Sequence, residues 1–79
     1  MPSSDDVKAR IEAAFPHYEC RVEIEEIRGL VSPKVFNDEY PNGFKPQSAL
    51  LSDLLHSDLL DQYIDVCQSQ VREAGFALS

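Results

Sequence analysis

The spacing of hydrophobic positions changes along the chain, and each spacing predicts a different element. Near the start, apolar residues recur at the three- and four-residue interval of one helix face: Val7, Ile11, Ala14 and Phe15. Ser3 or Ser4 can cap this helix, since a hydroxyl there accepts a hydrogen bond from an unpaired amide of the first turn. Pro16 ends it, because a proline inside a helix loses a backbone hydrogen bond and clashes with the preceding turn.

The pattern then becomes a strict alternation, which is typical of a strand with one buried face. The apolar positions are Tyr18, Cys20, Val22 and Ile24, and the charged positions between them are Glu19, Arg21, Glu23 and Glu25. The alternation slips at Glu25–Glu26. A slip of one residue would place Glu26 in the core, so the pattern predicts a bulge or the end of the strand there.

Residues 29–46 have the weakest pattern. Leu30 and Val31 either extend the first strand or begin a second one. The run Tyr40-Pro41-Asn42-Gly43 predicts a turn, because proline presets one backbone angle and Asn and Gly tolerate the conformations that follow. Val35-Phe36 and Phe44 flank this turn, an arrangement that would suit a hairpin. A hairpin and an irregular loop both stay open for this segment.

Helical spacing returns in the C-terminal half. The apolar residues with this spacing are Leu50, Leu51, Leu54, Leu55, Leu59, Leu60, Tyr63, Ile64, Cys67 and Val71. Pro46 suits a first helical turn, Ser48 can cap it, and a second cap at residues 56–58 predicts a break into two helices. Gly75 is expected to end the last helix in a left-handed conformation, with Phe76 packing back on Val71. Phe76-Ala77-Leu78 would then either add a short edge strand or close the core.

The order of elements is therefore α-β-(β)-α-α. It predicts one small α+β domain over residues 1–79, with a short antiparallel sheet packed on helices. The predicted core joins the apolar strand face to apolar helix positions: Ile11, Phe15, Leu54, Ile64 and Cys67. A chain of this size buries only about 60% of its unfolded surface, so a homodimer that hides more apolar surface is a further expectation.

The net charge of the chain favours some classes of binding partner over others. The chain of 79 residues carries 14 acidic and 7 basic side chains, a formal net charge of −7. Such a surface repels phosphate backbones, which disfavours direct binding of nucleic acid and favours a protein partner with a basic surface. No secretory pattern and no run of about 20 apolar residues is present, so no membrane association and a cytoplasmic location are expected.

Candidate chemistry rests on two histidines and two cysteines: His17, His56, Cys20 and Cys67. Zinc would need all four to converge, whereas both cysteines fall on apolar faces. We therefore expect two core thiols and two surface imidazoles, with no metal and no cofactor. Nucleophilic catalysis would need an accessible thiolate beside a cation, and the residues near Cys20 are mostly acidic. Whether the chain is an enzyme stays undecided, with a non-enzymatic role favoured.

Three groups of residues are candidates for binding a partner. Strand glutamates Glu19, Glu23 and Glu25 share one face, and helix aspartates Asp58, Asp61 and Asp65 share another. Three aromatic residues four apart could anchor an interface or could roof the small core: Phe36, Tyr40 and Phe44.

These groups favour a non-enzymatic protein–protein interaction module, such as an adaptor, a regulator or a small subunit. Two alternatives stay open. An acidic protein can mimic nucleic acid and inhibit a DNA- or RNA-binding protein, provided that its carboxylates follow a continuous surface. A small thiol-dependent enzyme or redox protein would instead use Cys20 or Cys67.

Overall fold

The helices and strands follow one another along the chain in the order α-β-β-β-α-α. The computed structural model describes residues 3–77, which form a small α+β domain. Its elements are α1 (Ser4–Ala13), β1 (Glu19–Glu25), β2 (Leu30–Phe36), β3 (Ala49–Leu50), α2 (Leu51–Leu54) and α3 (Ser57–Glu73). The strands form one antiparallel sheet in the order β1-β2-β3. The predicted fold class is confirmed.

Helix α1 begins and ends where the sequence predicts. The Ser3 hydroxyl accepts a hydrogen bond from the Asp6 amide at 3.2 Å, and the Asp6 carboxylate accepts one from the Ser3 amide at 3.0 Å. This reciprocal capping box satisfies two amides that the first turn leaves unpaired. The hydrogen bond from the Ser3 backbone amide stabilises the charged form of the Asp6 carboxylate and therefore lowers the pKa of Asp6. The helix ends at Ala13, before Pro16.

Strands β1 and β2 form a tight hairpin. Their register pairs Cys20 with Val35, Val22 with Pro33 and Ile24 with Val31 on the inner face. The slip in the sequence pattern is the end of the strand rather than a bulge, because β1 stops at Glu25 and a turn over residues 26–29 follows. Leu30 therefore begins a second strand, and Ile27 at the tip of the turn is 96% exposed.

The third strand is interrupted at the level of Pro33. Phe44 pairs with Val35 as an isolated bridge, and β3 pairs with Leu30 and Val31 further along. Proline has no amide hydrogen to donate, so β2 offers no complete pairing site between these two points. The predicted turn at residues 40–43 forms, with the Gly43 amide 3.0 Å from the Tyr40 carbonyl.

The predicted start of the C-terminal helices is wrong. Pro46 is buried in an irregular segment, and Ser48 caps no helix: its hydroxyl lies 3.1 Å from the Ser32 hydroxyl on β2. Pairing of residues 49–50 with β2 holds this stretch extended, so α2 begins only at Leu51. Sheet pairing has overridden a local helix signal.

The predicted break between two helices is confirmed, because α2 ends at Leu54 and α3 begins at Ser57. The cap residue of α3 is His56, whose side chain makes no capping hydrogen bond. Gly75 has a φ of +104°, and the amides of Gly75 and Phe76 donate to the carbonyls of Arg72 and Val71. These two bonds are those of the predicted Schellman ending. Leu78 lies outside the described residues.

The helices cover one face of the sheet, and the core lies between the two layers. Its buried side chains are Val7, Ile11, Phe15, Val22, Val31, Val35, Leu54, Leu60, Tyr63, Cys67, Val71 and Phe76. The predicted core positions are all here or packed against it, with Tyr18, Cys20, Ile24 and Ile64 only partly buried. The opposite face of the sheet carries the charged positions of β1, and no helix within residues 3–77 covers it.

Candidate functional site

The strand glutamates lie together on the uncovered sheet face, as predicted, but each is paired with a cation. Glu19 lies 3.2 Å from the Arg21 guanidinium, and Glu23 lies 3.7 Å from the Lys34 ammonium. Glu25 accepts two hydrogen bonds from Arg28, at 2.8 and 2.7 Å. The bond from Arg28 lowers the pKa of Glu25 because it favours the carboxylate. This face therefore alternates charges and is not uniformly acidic.

The three candidate aromatic residues do not form one patch. Tyr40 and Phe44 are partly buried and surround Phe76, with ring centroids 5.4 and 6.1 Å from its ring. Tyr18 contacts the same ring edge to face at 5.0 Å, so these residues roof the core. Phe36 lies on the uncovered sheet face with the Arg21 guanidinium 5.8 Å from its centroid. Of the three candidate aromatic residues, Tyr40 and Phe44 therefore cover the core, whereas Phe36 does not.

The helix aspartates stay exposed along α3 and form what we call the acidic row: Asp58, Asp61 and Asp65. Asp61 pairs with Arg10 of α1. Within residues 3–77, neither Asp58 nor Asp65 takes part in an ion pair. The acidic row thus keeps two carboxylates without an ion-pair partner, whereas all three strand glutamates have one.

A cleft beside the acidic row is the feature that the sequence analysis missed. It has a volume of about 210 Å³ and is called the α3 cleft below. One wall is α3, through Leu59, Gln62, Tyr63 and Val66, and the other wall is Gln47, Ala49, Asp53 and Leu54. Leu59 and Val66 are each 41% exposed, although both are large and apolar.

A signal for this cleft was present in the sequence. Helix α3 carries two apolar stripes: Leu60, Cys67 and Val71 face the core, while Leu59, Tyr63 and Val66 follow the same spacing about 100° away. An apolar arc this wide exceeds what one contact surface covers. The sequence does not say which part of the arc remains open.

Two hydrogen bonds hold the cleft walls together. The Tyr63 hydroxyl donates to the Gln47 carbonyl, and the Gln47 amide donates to the Gln70 side chain at 2.7 Å. These bonds tie the segment before β3 to α3 beside the cleft. Burial raises the pKa of Tyr63, so its hydroxyl keeps the proton that it donates.

Two members of the acidic row lie further around α3 from the cleft. At about 100° per residue, Asp58 and Asp65 lie on α3 just beyond Gln62, on the side away from the core stripe. Asp53 is in the opposite wall. An apolar groove is therefore flanked by carboxylates, an arrangement that suits a ligand with an apolar anchor and neighbouring cations.

Both thiols are free and lie in or beside the core. Cys67 is 1% exposed, and Cys20 is partly buried. Burial, followed by the nearby Glu12 carboxylate, raises the pKa of Cys20 to about 11 from 9.0. Burial also raises the pKa of Cys67. A reactive cysteine requires the opposite shift, because the thiolate is the nucleophile.

We expect both thiols to react slowly with a disulfide reagent such as DTNB at pH 8. A pKa near 11 rather than 9.0 leaves Cys20 with about a hundredfold less thiolate, and burial hinders access to Cys67. The rate should rise with pH and should reach that of a free thiol after denaturation in guanidinium. Rapid release of the coloured thiolate from the native protein would contradict this placement.

His17 and His56 are both exposed and belong to no common site with the thiols. Within residues 3–77, no three His, Cys, Asp or Glu side chains converge into a group that could hold a metal ion. None of the helices described has both the length and the apolar composition needed to cross a membrane.

Comparison with known proteins gives no relative. No protein-family model matches the chain, and no curated protein or solved structure is significantly similar to it. The α3 cleft and the charges around it are therefore the observations on which a function can be based.

Proposed function

We propose that the protein is a non-enzymatic interaction module that binds a segment of a partner protein in the α3 cleft. The partner segment supplies one or two apolar side chains to the cleft and basic side chains to the acidic row. The observation that carries the proposal is the cleft itself, in which Leu59 and Val66 remain 41% exposed and Asp53 stands in the opposite wall. Apolar anchors in a groove with charges at its border are a common mode of peptide recognition.

The size of the cleft favours a side-chain anchor over a small molecule. Sites for drug-sized ligands usually have volumes of roughly 300–1,000 Å³ and enclose most of the ligand. The α3 cleft has about 210 Å³. That volume accommodates a leucine- or phenylalanine-sized group from a protein segment that continues along the surface.

The charge distribution supports a basic segment. The chain has a net charge of −7, Asp53 lines the cleft, and Asp58 and Asp65 lie further around α3, beyond Gln62. Complementary charges speed association and select against acidic competitors more than they add affinity. Binding is therefore expected to weaken as salt rises, because these carboxylates are exposed to solvent.

The two alternative functions have less support. A nucleic-acid mimic needs carboxylates along one continuous surface, whereas ion pairs engage Glu19, Glu23, Glu25 and Asp61. A thiol enzyme needs a cysteine with a lowered pKa and access to solvent, and both cysteines here have raised pKa values.

The proposal can be tested with a synthetic amphipathic helical peptide that carries leucine at every third or fourth position and lysine between. Titration of labelled protein should move the NMR signals of Leu59 and Val66 first. The double variant Leu59→Ser with Val66→Ser should bind the peptide at least about tenfold more weakly, as expected for loss of buried anchors.

Matched variants distinguish binding in the cleft from nonspecific hydrophobic binding and from the effect of net charge. Leu50→Ser removes a similar apolar side chain, 48% exposed, from the uncovered sheet face and should leave binding unchanged. Asp58→Asn with Asp65→Asn should weaken binding more than Glu26→Gln with Asp38→Asn, which removes the same charge elsewhere. Equal losses in both charge pairs, or an unaffected serine double variant, would overturn the proposal.

A further inference from the structure

Strand β1 has an unpaired edge, and the hydrogen-bond pattern shows which groups lie along it. Val35 and Phe44 exchange both of their backbone hydrogen bonds, at 3.0 and 2.8 Å, so the amide and carbonyl of Val35 point away from β1. In an antiparallel pair these directions alternate, and a residue opposite an outward-pointing one also points outward. By the register, the backbone groups of Cys20, Val22 and Ile24 point to the outer edge of β1.

This edge is open, whereas the other edge of the sheet is occupied. Within residues 3–77, no hydrogen bond outside the β1–β2 ladder reaches Cys20, Val22 or Ile24. Val22 is 6% exposed, although its side chain belongs to the core, while Val31 and Val35 on the central strand are 0% exposed. At the other edge, side chains of α3 hold the amide and carbonyl of Gln47.

We propose that a second copy of this chain adds its own β1 to this edge, antiparallel, with the two-fold axis at Val22. The result is a homodimer with one continuous six-stranded sheet. The interface is separate from the α3 cleft, so it goes beyond the proposed function and does not depend on it.

This register satisfies every outward-pointing backbone group. Val22 lies opposite Val22 of the second copy, and Cys20 lies opposite Ile24 of the second copy, once on each side of the axis. Each of these three opposed pairs exchanges two hydrogen bonds, so the three amides and three carbonyls of each strand are all paired. Unpaired edge groups of this kind are a template for strand addition.

The side chains of the uncovered face fit the same register. Arg21 lies opposite Glu23 of the second copy. The two-fold axis generates a second, equivalent pair, in which Glu23 lies opposite Arg21 of the second copy. Because these residues face each other as non-hydrogen-bonded pairs across the new interface, their side chains approach closely. Glu19 lies opposite Glu25 of the second copy, but Arg21 and Arg28 of their own chains already neutralise these two carboxylates.

Neighbouring registers fit less well. Moving the axis to Ile24 places Glu23 opposite Glu25 of the second copy, which sets like charges against each other. Moving it to Cys20 leaves the outward groups of Ile24 without a strand partner. The axis at Val22 combines opposite charges with complete backbone pairing.

Sedimentation velocity over a concentration series tests the dimer through two charge reversals. Arg21→Glu places two glutamates opposite each other at both pairs, and Glu23→Arg places two arginines there. Each variant alone should dimerise at least about tenfold more weakly than the native chain. Mixed in equal amounts, they should form a heterodimer, because both pairs then join glutamate to arginine.

A matched control carries the same charge changes away from β1. Lys45→Glu and Asp38→Arg, both exposed, should each dimerise like the native chain, alone and mixed. The variants that test the dimer lie on β1 and those that test peptide binding lie on α3, so each set leaves the other surface unchanged. The two proposals can therefore fail independently.

Amide hydrogen exchange followed by NMR identifies the edge directly. As protein concentration rises, exchange at Cys20, Val22 and Ile24 should slow at least about tenfold, while Arg21 and Glu23, already bonded to β2, change less. A monomer at millimolar concentration would overturn the proposal. So would a dimer that forms equally in all variants, or one that leaves exchange at these three amides unchanged.

Discussion

Replacing Leu60 with alanine is expected to lower the free energy of unfolding by about 2–5 kcal/mol. Leu60 is fully buried in the core, so truncation removes apolar contacts and leaves a cavity that the surrounding side chains fill incompletely. A chain of 79 residues has a total stability of roughly 4–12 kcal/mol, so this loss is a large fraction of it.

Leu59 provides a control of the same residue type in the same helix. It lies one position earlier and is 41% exposed in the α3 cleft, so Leu59→Ala should cost less than about 1 kcal/mol. Urea denaturation followed by circular dichroism measures both variants, and thermal melts should separate them by about 4 °C or more. Equal stability of the two variants would mean that the assignment of core and cleft faces on α3 is wrong.

Replacing Phe76 with alanine is expected to destabilise the fold by about 3–5 kcal/mol. Phe76 is 2% exposed, and its ring contacts Tyr18, Tyr40 and Phe44 at centroid distances of 5.0, 5.4 and 6.1 Å. These three residues come from the segment before β1 and the loop after β2. Loss of one ring therefore removes contacts to both of these segments at once.

Phe36→Ala is the matched control for Phe76. Its ring packs on the uncovered sheet face, partly buried beside Gly43 and Arg21, and its loss should cost less than about 2 kcal/mol. Chemical denaturation gives the stability of both variants, and near-ultraviolet circular dichroism reports the packing of the tyrosines. A Phe76 variant as stable as the Phe36 variant, with unchanged tyrosine signals, would contradict the aromatic roof.

The main elements follow from local rules and could be predicted. The apolar interval identifies α1, the alternation identifies β1, and Gly75 marks the end of α3, because each signal lies within a few residues of the element that it defines. The prediction that the C-terminal helices begin at Pro46 was wrong because the partner of this segment is distant in sequence. Residues 49–50 pair with Leu30 and Val31, about 20 positions earlier, and no local pattern reports such a partner.

The candidate site was less predictable than the fold. The acidic row was found, because three aspartates on one helix face are visible in the sequence. Neutralisation of Glu23 by Lys34 depends on the register of two strands, and pairing of Asp61 with Arg10 depends on the docking of two helices. The cleft depends on the distance between α3 and the segment before β3, which hydrogen bonds at Gln47 set.

The sequence by itself determined the periods, the cap of α1, the end of α3 and the excess of negative charge, because these depend on neighbours along the chain. The tertiary structure decided which apolar stripe of α3 is buried, which carboxylates keep their charge unpaired and which strand edge stays open. Burial, ion pairing and strand pairing join residues that are distant in sequence, so they exist only once the layers have packed.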